Sequence, residues 1–132
     1  MTIRFEIEGE PMGKDRPRMS KQGHVYTPKA TKDAEALVAE SARYQNIGAD
    51  MPLDGPVRIE MVFWSTHDGK KRQGRRDLDN LCKLVMDGLN RVAWHDDWQV
   101  SEIDAKLYRG SEQAGSLVLI TQIAPAGANA DG

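Results

Sequence analysis

Apolar and polar residues alternate over the first eight positions, with Ile3, Phe5 and Ile7 on one side and Thr2, Arg4, Glu6 and Glu8 on the other. A period of two is that of a half-buried strand, so a first strand is predicted over 2–8. The period is lost over 9–26, where Pro11, Gly13, Pro17 and Gly23 punctuate a charged stretch. It reads as a long basic loop ending in a short extended piece at 24–26. Thr27 and Pro28 have the form of an N-cap followed by proline at the first helical position. A first helix then runs over 30–44, with Ala34, Leu37, Val38 and Ala42 as its apolar side.

Breakers at Gly48, Pro52, Gly55 and Pro56 precede the run Val57, Ile59, Met61 and Phe63, a second strand. Its other face carries Val62 and Trp64, so it is expected to lie centrally with both faces covered. From Leu78 the spacing changes to threes and fours, through Leu81, Cys82, Val85, Leu89 and Val92. That is the apolar stripe of an amphipathic helix over 78–92, which Gly88 interrupts without ending. Two more alternating runs, 100–108 and 116–123, read as strands, with 110–115 joining them as an antiparallel pair. The order β-α-β-α-β-β predicts an α+β fold, a two-layer α/β domain with two main helices on a mixed β-sheet.

The length of 132 residues fits one domain, predicted over 1–123, with a disordered tail over 124–132. No window approaches the ~18 apolar residues of a membrane span, and the acidic, alternating N-terminus is unlike a signal peptide. The lone Cys82 and three scattered histidines offer neither a disulfide nor zinc-finger spacing, which places the chain in a reducing cytoplasm, away from membranes.

A net charge of −2 argues against a polyanionic partner until the charges are placed along the chain. Residues 13–32 hold Lys14, Arg16, Arg18, Lys21, Lys29 and Lys32 against Asp15, and residues 69–76 hold Lys70, Lys71, Arg72, Arg75 and Arg76. Conversely, 93–104 contains Asp96, Asp97, Glu102 and Asp104 and no Lys or Arg. Such sorting gives a phosphate-facing side and an acidic locus on one protein.

The chemistry gathers at RRDLDNLCK, 75–83. Asp77 suits an N-cap and Asp79 suits the helix dipole, a purely structural reading. On a helical wheel Asp79 lies about 100° and Lys83 about 140° from Leu78, so both leave the core face and lie one turn apart. Carboxylates beside a dense cationic stretch oppose nucleic-acid binding unless a hard cation neutralises them. Mg²⁺ fits, since it takes oxygen ligands from a few carboxylates and bridges to phosphate. Asp77 and Asp79 would supply two ligands, and Asp96 or Asp97 a third if that segment folds back along the helix. Cys82 lies in the apolar stripe and reads as core, and Trp94 and Trp98 read as anchors of the acidic turn.

GEPMGKDRPR near the start, GHVYTPKAT before the first helix, RRDLDNLCKLVMDGLN and VAWHDDWQV together resemble the RusA family of Holliday junction resolvases, often encoded by phages and prophages. The resemblance covers 3–123. It implies a small α/β homodimer that uses Mg²⁺ or Mn²⁺ to nick four-way DNA junctions symmetrically in recombination and repair. By motif, the metal-binding and catalytic residues it implies are Asp77, Asp79 and Asp97, with Lys83 as the catalytic lysine; Asp96, next to Asp97, and His95 beside it stand as alternative ligands by position alone. Lys14, Arg16, Arg18, Lys70, Lys71, Arg72, Arg75 and Arg76 would contact backbone phosphates. The first 30 residues depart from the best-known bacterial resolvase. Two rival readings therefore stand beside junction resolution: a nuclease acting on other branched DNA, and a non-catalytic nucleic-acid-binding module.

Overall fold

The computed structural model describes residues 1–14 and 18–123. The predicted tail and Arg16 lie outside the described residues. Six strands and two helices follow the chain: β1 (Thr2–Glu8), β2 (Arg18–Met19), β3 (Val25–Tyr26), α1 (Lys29–Tyr44), β4 (Val57–Trp64), α2 (Leu78–Leu89), β5 (Val100–Tyr108) and β6 (Gly115–Gln122). A 3₁₀ turn, Asp97–Gln99, leads into β5. The main sheet has the order β1-β6-β4-β5, and β2 and β3 form a separate ribbon. This is the mixed-sheet α+β fold that the hydrophobic periods predict. Among the described residues no helix is long and apolar enough to cross a membrane.

The strand directions decide where function can sit. β4 is parallel to β5 and antiparallel to β6, and β6 is antiparallel to β1. Therefore β1, β4 and β5 all point the same way, and the segments leaving them emerge at one end of the sheet. In parallel sheets that end is where ligands usually bind. The helices return the chain to the opposite end.

The expected β5–β6 hairpin does not form. β4 lies between them, paired with both. The linker of six residues, Arg109 to Ala114, crosses the end of β4 instead. Skipping one strand means covering two spacings, roughly 10 Å, well within the reach of six residues. Backbone bonds hold the crossing: Ser65 N–H donates to Tyr108 O at 2.9 Å, and Ser111 N–H donates to Ser65 O at 2.9 Å.

The inward faces of β1, β4 and β6 bury Ile3, Phe5, Ile59, Met61, Phe63, Val118 and Ile120 against Ala34, Val38 and Ala42 of α1 and Leu81, Leu84, Val85 and Leu89 of α2. Gly88 is more than an interruption of the stripe. A Cβ there would lie 2.8 Å from Glu35 O and 2.9 Å from Val38 Cβ, so only glycine lets the two helices approach this closely. The open edge of β1 is closed by side chains from the end of α1. Asn46 and Gln45 each accept from one backbone N–H, of Arg4 and Glu6, and donate to the carbonyl of the same residue, imitating a neighbouring strand.

Several boundaries and faces differ from the sequence expectation. Pro28 itself is the N-cap of α1, and its carbonyl accepts from Lys32, so Thr27 is outside the helix. Leu37 is 49% exposed and leaves the apolar side of α1. α2 stops at Leu89, and Arg91 adopts a positive φ of 68°, which turns the chain before Val92. The second face of β4 is half-buried, because both helices pack on the other side of the sheet.

Candidate active site

Three segments meet at the end of the sheet where β1, β4 and β5 finish. Glu10, just beyond β1, accepts from Ser65 Oγ at 2.9 Å and from Thr66 N–H at 2.7 Å, and it lies 3.6 Å from Arg76 Nε. Arg109, just beyond β5, donates to Arg76 O at 2.7 Å. The backbone immediately before Asp77 is thus clamped from two sides. Burial alone would raise the Glu10 carboxyl, but the hydrogen bonds from Thr66 and Ser65 and the Arg76 charge outweigh it and hold the group below the usual glutamate range.

From this clamp α2 starts. Asp77 is its N-cap residue in extended conformation, yet its side chain makes no capping bond. The structural explanation for this carboxylate is therefore not realised, and its oxygens accept from none of the described residues. Asp79, in the first turn, pairs with Lys83 Nζ at 3.4 Å, and both side chains are largely exposed. They share a solvent-facing side, as the wheel predicts. Cys82 is half-buried, and burial, followed by the charge of Asp79, pushes its thiol up, which makes it a poor nucleophile.

The acidic turn is built at the other end of the sheet. Asp96 caps the 3₁₀ turn by accepting from Trp98 N–H, and Gln99 Oε1 accepts in return from Asp96 N–H at 3.0 Å and His95 N–H at 2.7 Å. The Gln99 amide donates to the carbonyls of Leu53 and Gly55. Fully buried Trp94 donates its indole N–H to Asp97 Oδ1 at 2.8 Å, fixing that carboxylate while its second oxygen has no partner among the described residues. Trp94 anchors the turn as expected. Trp98 does not, being 81% exposed, because its neighbour Gln99 takes the inward position.

Asp77 and Asp79 stand two residues apart at the start of α2, and Asp96 and Asp97 are neighbours in the turn that follows it, but the two pairs lie at opposite ends of α2 within a protomer. α2, about 18 Å long, runs between them. Among the described residues no group of three or more His, Cys, Asp or Glu side chains is assembled for a metal ion. The segment after α2 does not fold back. It is held at the far end by Leu53 N–H bonding to Ala93 O and by a 2.8 Å hydrogen-bond contact between His95 Nε2 and Asp54 Oδ1.

The cations divide into two kinds. Lys70, Lys71, Arg72 and Arg75 are exposed and form no ion pair among the described residues, as is the case for Arg18 on β2. Arg76 is drawn inward by Glu10, and Lys14 bonds Asp87 at 2.5 Å. The loop carrying Lys14 lies directly on α2, where a Cβ at Gly13 would come within 2.5 Å of Asn80 Nδ2. Lys14 therefore fastens this loop beside the DLDN segment. Glu35 faces the same pair, and burial, reinforced by Asp87 and opposed by Lys14, raises its carboxyl.

That shift has a definite sign. A raised folded-state pKa gives a contribution to stability fully present below the unfolded pKa and lost as pH rises through the folded value. Glu35→Gln is accordingly expected to raise the melting temperature at neutral pH, with the gain shrinking to nothing below the usual glutamate range. Thermal melts across that interval check it, and an equal gain at every pH would contradict it.

Sequence reasoning left Glu10 and Gln99 without roles. A single glutamate in a loop carries no periodic signal. Gln99 did have one: Asp96 followed three residues later by glutamine is a capping box.

The family model of endodeoxyribonuclease RusA matches residues 8–120. The uncharacterized protein YqaN of Bacillus subtilis (strain 168) is 30% identical over 144 residues, an alignment covering 92% of this chain and 96% of that protein. With the match running from before the Glu10 clamp into the last strand, the chain belongs to the RusA endodeoxyribonuclease family.

Proposed function

We propose that the protein is a divalent-metal-dependent endonuclease that resolves four-way DNA junctions as a homodimer, each metal site being shared between two protomers. The observation that carries this reading is the unspent Asp77 carboxylate beside exposed Asp79 at the start of α2, at the same end of the sheet as the cationic loop. Two carboxylates with water and substrate phosphate make a normal Mg²⁺ environment, so the donor set fits. When bound, the ion would polarise the scissile phosphate and lower the pKa of a water.

The protein residues do the rest. The first-turn N–H groups of α2 have no intrahelical partners and favour a phosphate there. Lys83, one turn along from Asp79, offers a point charge to phosphoryl oxygens as negative charge builds on them. Lys70, Lys71, Arg72 and Arg75 hold the DNA backbone with little sequence preference, so affinity falls as salt rises.

Asp97 enters from a second protomer. It is too far from Asp77 of its own chain, its free oxygen is presented by the Trp94 indole, and exposed Trp98 beside it supplies apolar area for a protein contact. Two-fold symmetry then gives two sites, matching two strands of a junction.

Cleavage of a labelled four-way junction with Mg²⁺ or with EDTA tests the reading, with flap and linear duplexes as comparisons. Paired nicks in the junction with Mg²⁺ alone are expected. Cleavage of flaps in preference to junctions would move the substrate to other branched DNA, and binding without cleavage would leave only the non-catalytic module.

A further inference from the structure

The outward face of the sheet carries an aromatic pair that the proposed chemistry does not use. Trp64, at the end of β4, and Tyr108, opposite it at the end of β5, are stacked with ring centroids 6.2 Å apart and planes inclined by 20°. Both helices lie on the other face, so neither covers the pair. β5 is the edge strand, so no strand flanks Tyr108 on its far side, and the residue is 50% exposed. Across β6, Trp64 faces Gly115, which has no side chain to cover the indole. An open groove of about 370 Å³ lies there, lined by Trp64, Ser111, Glu112, Gln113, Ala114 and Gly115.

The charge around the pair selects the occupant. Arg109 follows Tyr108 directly and reaches the backbone of Arg76, and its side chain packs along Gly69, bringing the loop with Lys70, Lys71 and Arg72 beside the end of β5. Lys106, two residues before Tyr108 on the same face, is exposed, with only a 3.8 Å contact to Asp104. A half-exposed stacked aromatic pair with cations nearby is what a single-stranded nucleic acid needs: a ring surface for a base and positive charge for the backbone. The acidic Glu112 in the groove disfavours phosphate there and leaves that space to a base.

We propose that Trp64 and Tyr108 form a stacking platform for an unpaired nucleobase of the DNA held by the cationic loop. This rests on the DNA-cleaving reading above. Arg109, next to Tyr108, bonds the backbone of Arg76, next to Asp77, so DNA held by the cationic loop lies within reach of the platform across the end of the sheet, which would favour substrates with unpaired or unstacked bases over intact duplex.

The test measures affinity of the full chain for a labelled oligothymidylate and for a linear duplex, comparing wild type, Tyr108→Ala and Tyr108→Phe. Tyr108→Ala is expected to weaken oligothymidylate binding about tenfold while changing duplex binding less than about twofold, and Tyr108→Phe is expected to bind both like wild type. Thermal melts establish that the variants are folded. The proposal is overturned if Tyr108→Ala binds oligothymidylate like wild type or loses both ligands equally. It is also overturned if the substitution changes oligomeric state without changing single-strand affinity, which would make the pair a protein contact. A wild-type protein that cuts a junction with Mg²⁺ while Tyr108→Ala behaves unchanged would reject the platform and leave the nuclease reading intact. A wild type without metal-dependent cleavage would reject that reading.

Discussion

Asp79→Asn is expected to reduce Mg²⁺-dependent junction cleavage by at least about a hundredfold while leaving folding and junction binding nearly intact. Asp79 is exposed, takes no part in the core, and contacts Lys83 only at 3.4 Å, an exposed pair one helical turn apart. Such pairs contribute roughly 0.3–0.5 kcal/mol, so removing the charge costs little stability. Loss of one negative charge from a DNA-facing surface also lessens its own repulsion of phosphate, and the exposed lysines and arginines that hold the backbone are untouched. What the substitution removes is an ionised oxygen donor at the start of α2, and an amide oxygen is a far weaker ligand for a hard cation. Cleavage rates and junction affinity measured on the same preparation separate the effects. Wild-type rates in a folded Asp79→Asn protein would remove the carboxylate from the mechanism.

The second large effect is on the fold. Gln99→Ala is expected to destabilise the protein by about 2–4 kcal/mol, read as a lower urea midpoint, because one buried side chain serves four backbone groups. Without it, the N–H groups of His95 and Asp96 lose their acceptor, and the carbonyls of Leu53 and Gly55 lose their donor. Each buried, unpaired polar group costs on the order of 1–3 kcal/mol, relieved in part by water entering the space. Gln99→Glu should not rescue the fold, since a carboxylate would face the Leu53 and Gly55 carbonyls. The same change loosens the turn that presents Asp97, so cleavage should fall even at temperatures where the variant stays folded. A midpoint equal to that of wild type would mean that this network does not hold the turn.

These two residues also mark what the sequence could and could not convey. Period-two alternation located β1, β4, β5 and β6, since a strand's side chains take turns facing the core, and the three-and-four spacing located α2. Strand order was hidden because it depends on contacts distant in sequence: the link between β5 and β6 has a length compatible with a hairpin, and only the insertion of β4 excludes one. For the site, the wheel placed Asp79 and Lys83 together because both lie on one helix. It could say nothing of Asp97, whose position depends on the direction of β5 relative to β4. The short reach of α2 followed from Arg91, whose positive φ no periodic pattern announces. The part played by Glu10 required three loops to meet in space, and the sequence shows each of them separately.

Helix α2 keeps the two acidic pairs of a protomer apart, and the shared site turns this into a complementation test. Asp79→Asn and Asp97→Asn are each expected to be inactive alone. When the two proteins are unfolded together and refolded as a mixture, every mixed dimer would combine one doubly altered site with one site whose Asp79 and Asp97 are both intact. With random pairing, roughly a quarter of the wild-type sites reappear. Recovery of single-strand nicking to about that level is the predicted result. A mixture as inactive as its two components, with mixed dimers shown to be present, would contradict a metal site divided between protomers.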